Sequence, residues 1–296
     1  MLRFVTAQWR RRPARVLGLL LRPGAAVSTG YRWVSFTTDY GTADGFVAIC
    51  KGVLATIAPD AVVIDVSHQV PAQDVRRGAA VLAQAVPWLP PAVHVAVVDP
   101  GVGTDRRGIA VVTPRGVLVG PDNGLLIPGA DVLGGVTAAY ALREPAFQLP
   151  EVSRTFHGRD VFAPVAAHLC RGVDPARLGP AVPPDQLHRL PAPRVDVTSG
   201  ALRADVLSVD TFGNVQLAAT AADLAASNLG SAVTVGTAGT ARRATVGHTF
   251  ADAEPGGLVL LVDSAGQVSI AVNGGSAAAE LRARDGDLVT VQAGSD

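Results

Sequence analysis

The chain has 296 residues, 48% of them apolar and 17% charged, and its formal net charge is zero. That length suffices for two domains, or one large one, with a substantial buried core. With no basic stripe in the part that reads as folded, a nucleic-acid partner is not expected, and no apolar run is long enough for a membrane span.

Residues 1–31 read as an arginine-rich extension: Arg3, Arg10, Arg11, Arg12, Arg15 and Arg22 lie there, and no acidic residue precedes Asp39. The apolar run at 16–21 lacks the length of a membrane span and a convincing cleavage site. A disordered extension or an over-extended start is expected, with a transit-like or surface-binding arm as the alternative. Lys51 is the only lysine. Cys50 and Cys170 have no second cysteine nearby, so they fit neither a disulfide framework nor a zinc site, and two buried thiols in a reducing cytoplasm are expected.

From residue 32 to 190 strand-like and helix-like segments alternate. Short β-branched runs at 33–37, 62–66, 93–99, 109–112 and 117–119 read as buried strands. Phe46, Val47, Cys50, Val53, Leu54 and Ile57 recur at helical spacing, with Asp44 as the expected cap. Asp74 opens a second helix whose apolar face is Ala79, Val81, Leu82, Ala85 and Val86, and a third helix runs from about 160 to 171. This pattern predicts an α/β domain with a mostly parallel sheet and flanking helices. The proline-rich stretch 179–193 reads as a linker. From 195 to 296, short strands at 204–209, 232–235, 244–249, 258–262, 268–272 and 288–291, divided by glycine turns, predict a small all-β barrel or sandwich. No internal repeat is detected.

Ligands of open α/β sheets bind beyond the carboxyl ends of the strands. Here those ends run into Thr38-Asp39-Tyr40-Gly41, Ser67-His68, Asp99-Pro100-Gly101-Val102-Gly103-Thr104-Asp105-Arg106-Arg107 and Gly120-Pro121-Asp122-Asn123-Gly124. Taken singly, each loop has a structural explanation as a turn or helix cap. Together, on one rim, they point to a site. Asp39, Asp65, His68, Asp99, Asn123 and His157 make a metal-ligand inventory, so a metal-dependent phosphoesterase is one reading. No helix carries HxxxH or HxxE, however, and Arg106 and Arg107 would crowd a cation. Gly101 to Gly103 could instead approach a phosphate with their amides, although the segment after them is a strand.

These loops, with Thr155-Phe156-His157-Gly158-Arg159-Asp160, Asp210-Thr211-Phe212-Gly213-Asn214, Asp263-Ser264-Ala265-Gly266 and Ala271-Val272-Asn273-Gly274, come in an order and spacing that resembles one family. It is the S-adenosylmethionine hydroxide adenosyltransferases, relatives of the fluorinase and chlorinase. The resemblance runs from about residue 33 to the C-terminus. It implies an α/β domain joined to a β-barrel domain, in a homotrimer with each site between one subunit's N-terminal domain and a neighbour's C-terminal domain.

The resemblance also implies roles. Asp39 is similar to the aspartate that accepts from both ribose hydroxyls. Asn214 and the backbone of the Asn273-Gly274 block match adenine-reading positions, with Phe212 packing on the base. Asp210 would pair with the methionine ammonium and Ser264 would hold the carboxylate. Ala265 departs from the larger or charged side chain frequent in relatives. Gln73 and Phe156 would line the site, and His68 would support its rim. Asp99, Arg106 and His157 stand at the positions that mark the hydrolytic branch. The implied reaction is attack of water at C5′, giving adenosine and methionine, with no metal and no cofactor. The alternatives are a halogenase and a non-catalytic sensor of adenosine or S-adenosylmethionine.

Overall fold

A computed structural model describes residues 30–294. The part of the arginine-rich segment before residue 30 therefore lies outside the described residues. The fold divides into two compact units, the first ending at Leu190 and the second beginning at Pro191.

The first unit is built on a six-stranded sheet: β1 (Trp33–Thr38), β2 (Val62–Ser67), β3 (Ala92–Val97), β4 (Gly108–Thr113), β5 (Gly116–Pro121) and β6 (Ala138–Ala141). The spatial order is β2-β1-β3-β5-β4-β6. β2, β1, β3 and β5 are mutually parallel, while β4 is antiparallel to both β5 and β6. The sheet is thus mixed at one side. The reason lies in the chain: only Pro114 and Arg115 separate β4 from β5, and so short a link can join only antiparallel neighbours. All six positions of β3 and of β5 are buried, as expected for strands covered on both faces.

The helices α1 (Phe46–Ile57), α2 (Val75–Ala85), α3 (Ile127–Val132) and α4 (Ala163–Cys170) cover the sheet. Cys50 and Leu54 of α1 pack with Val165, Ala166 and Leu169 of α4 against Val34, Phe36 and Val95. On the opposite face, Ala79 and Leu82 of α2 meet Ile127 and Ala130 of α3 over Ala96, Val98 and Leu118. Asp74 caps α2 through its side chain and the Arg77 N–H, as expected. Asp44 does not cap α1; Gly45 holds that position, with no side-chain cap. The third expected helix enters through a π-turn, Gly158–Phe162, before α4 begins. The start of the proline-rich stretch is folded rather than free: Ala181 bridges to Tyr140, and Val182 and Leu187 are buried in the second cluster.

The second unit holds β7 (Val195–Thr198), β8 (Ala201–Val209), β9 (Val215–Thr220), α5 (Ala221–Ala226), β10 (Ala232–Thr237), β11 (Thr240–Val246), β12 (Leu258–Val262), β13 (Gln267–Val272), α6 (Ala277–Leu281) and β14 (Leu288–Ala293). The order β14-β10-β11-β12-β13-β9-β8 closes into a barrel because β14 also pairs with β8. The long β8 makes closure possible. Residues 201–205 pair with β14, while its last part pairs with β9 and its first part carries β7. Closure leaves β7, paired with β8 alone, as the remaining edge, and Leu202, Leu217, Val235, Leu260, Ile270 and Val291 fill the interior.

Candidate active site

Strands β1 and β3 are neighbours, yet the chain leaves β1 for β2 on the other side before reaching β3. This reversal of winding opens a crevice at the carboxyl ends of β1 and β3. Asp39 follows β1 and Asp99 follows β3, so both stand at its mouth.

Asp99, Arg106 and His157 form one connected group. Arg106 Nε donates to Asp99 Oδ1 at 2.9 Å and to Oδ2 at 3.0 Å, and its Nη2 also meets Oδ2. The same Nη2 donates to His157 Nδ1 at 2.8 Å. Side-chain exposure is only 12% for Arg106 and 6% for Asp99, so water screens the pair weakly. Arg106 also lies over the Phe162 ring at 5.3 Å. A guanidinium has no acceptor. His157 Nδ1 must therefore present a lone pair, which leaves Nε2 as the N–H nitrogen. Burial, and then the Arg106 charge, push the His157 pKa below the usual histidine value, which favours this neutral form.

Glycine lets the two loops approach. Gly103 has φ +80° and lies against the backbone carbonyl of Arg154, where a Cβ has no room. Gly158 is likewise covered by the Tyr40 hydroxyl. Asp160 anchors the histidine loop from below: it is fully buried, accepts from Arg159 Nε at 2.5 Å and takes the Ser153 N–H at 2.9 Å. Burial raises its pKa, but these hydrogen bonds outweigh it and hold the carboxyl below its ordinary range.

Asp39 Oδ2 accepts from the Gln73 N–H at 2.9 Å, and Gln73 adopts a left-handed φ of 65°. Strain of this kind gathers at functional sites. Beside it, Tyr40, Phe46 and Phe156 pack edge to face with centroids 5.3–6.0 Å apart. They line a cleft of about 500 Å³ with Ser153, Thr155 and Arg159. Nothing in the sequence marks Phe46 and Ser153 as lining residues, since an apolar helix position and a loop serine carry no distinguishing signal. Burial chiefly holds the Tyr40 phenol well above its usual pKa, so it stays protonated.

The other polar rim residues are structurally engaged. Asp122 accepts from Arg107 Nε at 2.9 Å and from the His188 N–H at 2.9 Å. Asn123 spans the sheet end through Val98 O at 2.8 Å and the Leu125 N–H at 3.2 Å. Among the described residues, no three His, Cys, Asp or Glu side chains come together in a group able to hold a metal ion.

In the second unit, Asp210 organises the turn between β8 and β9. Its Oδ1 accepts from the N–H groups of Phe212 (2.9 Å) and Asn214 (2.8 Å), and its Oδ2 from Asn214 Nδ2 at 2.7 Å. Phe212 is left 79% exposed. Asp263 builds a matching turn between β12 and β13, accepting from the N–H groups of Ala265 (2.8 Å) and Gln267 (3.1 Å). The likeness of the two turns is hidden in sequence because only the aspartate and glycine are shared. Ser264 sits in the second turn, and Asn273 and Gly274 follow the far end of β13. Asn273 Nδ2 is tied to Ala253 O at 2.7 Å.

Comparison with known proteins matches residues 34–179 to the SAM hydroxide adenosyltransferase N-terminal domain and residues 204–290 to the C-terminal domain of the same family. A protein of Salinispora arenicola (strain CNS-205) named (R)-S-adenosyl-L-methionine hydrolase is 59% identical, over 88% of this chain and 98% of its own. A fluorinase of Actinopolyspora mzabensis is 28% identical over 87% of this chain and 96% of its own. The crystal structure of an uncharacterized conserved protein from Thermotoga maritima superposes with a TM-score of 0.81 at 34% identity, covering 88% of this chain and 99% of that one.

Proposed function

This chain belongs to the SAM hydroxide adenosyltransferase family, and from that premise we propose that it hydrolyses S-adenosyl-L-methionine to adenosine and L-methionine. The observation that carries the reading is the bridge Arg106 makes between Asp99 and His157, in a chain 59% identical to a relative named (R)-S-adenosyl-L-methionine hydrolase. A halide-using reading finds less support, since the fluorinase relative is at 28% identity.

The sulfonium is a good leaving group, so the enzyme has to orient and partly desolvate water in line with the C5′–S bond. A water oxygen forms the bond to C5′, the C5′–S electron pair returns to sulfur, and the proton lost from water passes to Asp99 and then to solvent. Arg106 fixes the carboxylate through its planar fork. His157, whose Nδ1 accepts from Arg106 and whose ring also bonds the Ser153 backbone, braces this group beside the nucleophile and is not the resting base. No metal or cofactor enters the scheme.

Asp39, with Gln73 beside it, would take the ribose hydroxyls, and Phe156 would flank the sugar. Asn214 and the backbone at Asn273 and Gly274 would read adenine, with Phe212 on its face. Asp210 would meet the methionine ammonium and Ser264 the carboxylate. That Ser264 and Gly274 flank opposite ends of β13 suits a long ligand held at both tips. The proposal includes a homotrimer whose sites combine the first unit of one subunit with the second unit of a neighbour. Phe46 and Phe212, both exposed in the single chain, are rings such an interface would cover. It also includes a cytoplasmic location, consistent with two free cysteines. No helix among the described residues is long and apolar enough to cross a membrane.

The test is product chromatography after turnover of S-adenosylmethionine in heavy-oxygen water. Label in the 5′-hydroxyl of adenosine is expected. Unlabelled adenosine, a 5′-halogenated nucleoside, or no product from folded protein overturns the reading.

A further inference from the structure

The loop that carries Asp39 is held by a second loop, residues 68–74, at three points. Asp39 Oδ2 takes the Gln73 N–H, the Gly41 N–H donates to His68 O at 2.7 Å, and Thr38 Oγ1 lies 2.8 Å from His68 Nδ1. His68 is itself fixed from behind. Its Nε2 lies 3.0 Å from Asp65 Oδ1, and Asp65 Oδ2 accepts from Lys51 Nζ at 2.5 Å. The Phe36 ring packs edge-on at 5.0 Å.

With His68 as a neutral imidazole, the donors and acceptors in this row run in one order. Asp65 is a carboxylate paired with Lys51, so it accepts from His68 Nε2–H. His68 Nδ1 then carries the lone pair and accepts from the Thr38 hydroxyl. Thr38 Oγ1 in turn accepts from the Tyr40 N–H at 3.2 Å. The row runs from the only lysine of the chain to the peptide immediately after Asp39. His68 is only 7% exposed and Thr38 is buried. Networks satisfied in this way rigidify the groups they join.

We propose that His68 is a positioning residue for ribose recognition, acting through Thr38 to set the Asp39 carboxylate against the sugar hydroxyls. The inference rests on the reading of Asp39 as the ribose ligand. A carboxylate accepting from two vicinal hydroxyls needs its plane fixed, and the Gln73 N–H alone fixes only one oxygen. His68 touches neither substrate nor water in this scheme. Its loss therefore weakens discrimination of the sugar and raises KM rather than disabling the chemical step.

The test compares adenosine and 2′-deoxyadenosine as competitive inhibitors of S-adenosylmethionine hydrolysis. Wild type is expected to prefer adenosine by tenfold or more. Asp39→Asn collapses that preference. His68→Leu collapses it too, with about a tenfold rise in KM. His68→Asn restores it, because the amide oxygen replaces Nδ1 as acceptor for Thr38. Thr38→Val, nearly isosteric, reproduces the loss from the other end of the bond and serves where His68→Leu fails to fold. If His68→Leu and Thr38→Val both retain the preference while Asp39→Asn loses it, His68 has no positioning role. If Asp39→Asn retains it, or wild type shows none, the ribose reading of Asp39 fails and the inference falls with it.

Discussion

His94 offers a quantitative test of how burial governs stability in the first unit. It lies fully buried on β3, with Nδ1 2.8 Å from Ser35 Oγ and Nε2 buried without a hydrogen-bond partner. Burial first, and the Arg115 charge second, push its pKa down to about 4. In the unfolded chain it titrates near the ordinary value of about 6.5. The folded value is the lower one, so below pH 6.5 the unfolded state binds the proton first and stability falls as pH drops. The loss begins near pH 6.5, grows at about 1.4 kcal/mol per pH unit, and levels off near the folded pKa, about 3 kcal/mol in all. Between pH 7 and pH 5 it amounts to about 2 kcal/mol. The assay is urea unfolding at pH 7, 6 and 5 for wild type and for the double variant Ser35→Ala/His94→Leu, which removes both partners of the bond. The carboxylates titrate alike in both proteins, so the difference in slope isolates His94. Wild type should lose about 2 kcal/mol more than the variant over that interval. Equal losses in the two proteins would refute the assignment.

Arg106→Lys removes the planar fork that holds Asp99 and reaches His157. A fall in kcat of about 100-fold is expected, about 2.7 kcal/mol of barrier, with KM changed less. Protonating His157 places a donor where Arg106 Nη2 already donates, so the rate should fall on the acid side. Because the His157 pKa is lowered, that fall should come below pH 6.5, and it should vanish from the residual activity of His157→Gln. Gly103→Ala puts a Cβ against the Arg154 carbonyl at a positive φ. It should cost about 2–4 kcal/mol in denaturant unfolding. Arg282 ends α6 in a left-handed conformation at φ 51°, on the surface. Arg282→Gly should therefore stabilise the protein by about 0.5–1 kcal/mol, read as a small rise in Tm.

Much of the fold was legible in the sequence because buried parallel strands are continuous β-branched runs. β1, β3 and β5 fall where those runs lie and are buried. β2 lies at 62–67 too, but as the edge strand it has no buried residue, against the expectation for that run. The shared direction of the four brings the polar loops to one rim. What escaped was set by tertiary context. β6 is a four-residue strand of alanines and a tyrosine, with no periodic signal. β7 alternates but is exposed at every second position, and β9 sits beside a turn whose polar residues mask its start. Barrel closure depends on pairing β14 with β8, far apart in the chain, which no local pattern encodes. The cap expected at Asp44 failed because Gly45 takes the position and the side chain makes no bond to the helix start.

The polar residues of the rim differ in what their side chains bond. Asp122, Asn123 and Asp160 direct their side chains into backbone N–H groups, carbonyls or arginines that hold the scaffold together. Position alone does not separate them from Asp39 and Asp99, since all follow strands or open turns; only the family resemblance does. The structure separates them through the partner. Asp99 faces an arginine whose Nη2 also donates to a histidine, and that histidine is tied in turn to the Ser153 backbone. A loop-stabilising ion pair has no use for a third, titratable member held neutral. In the proposed reaction Arg106 holds both partners in place, although it neither donates nor accepts the proton.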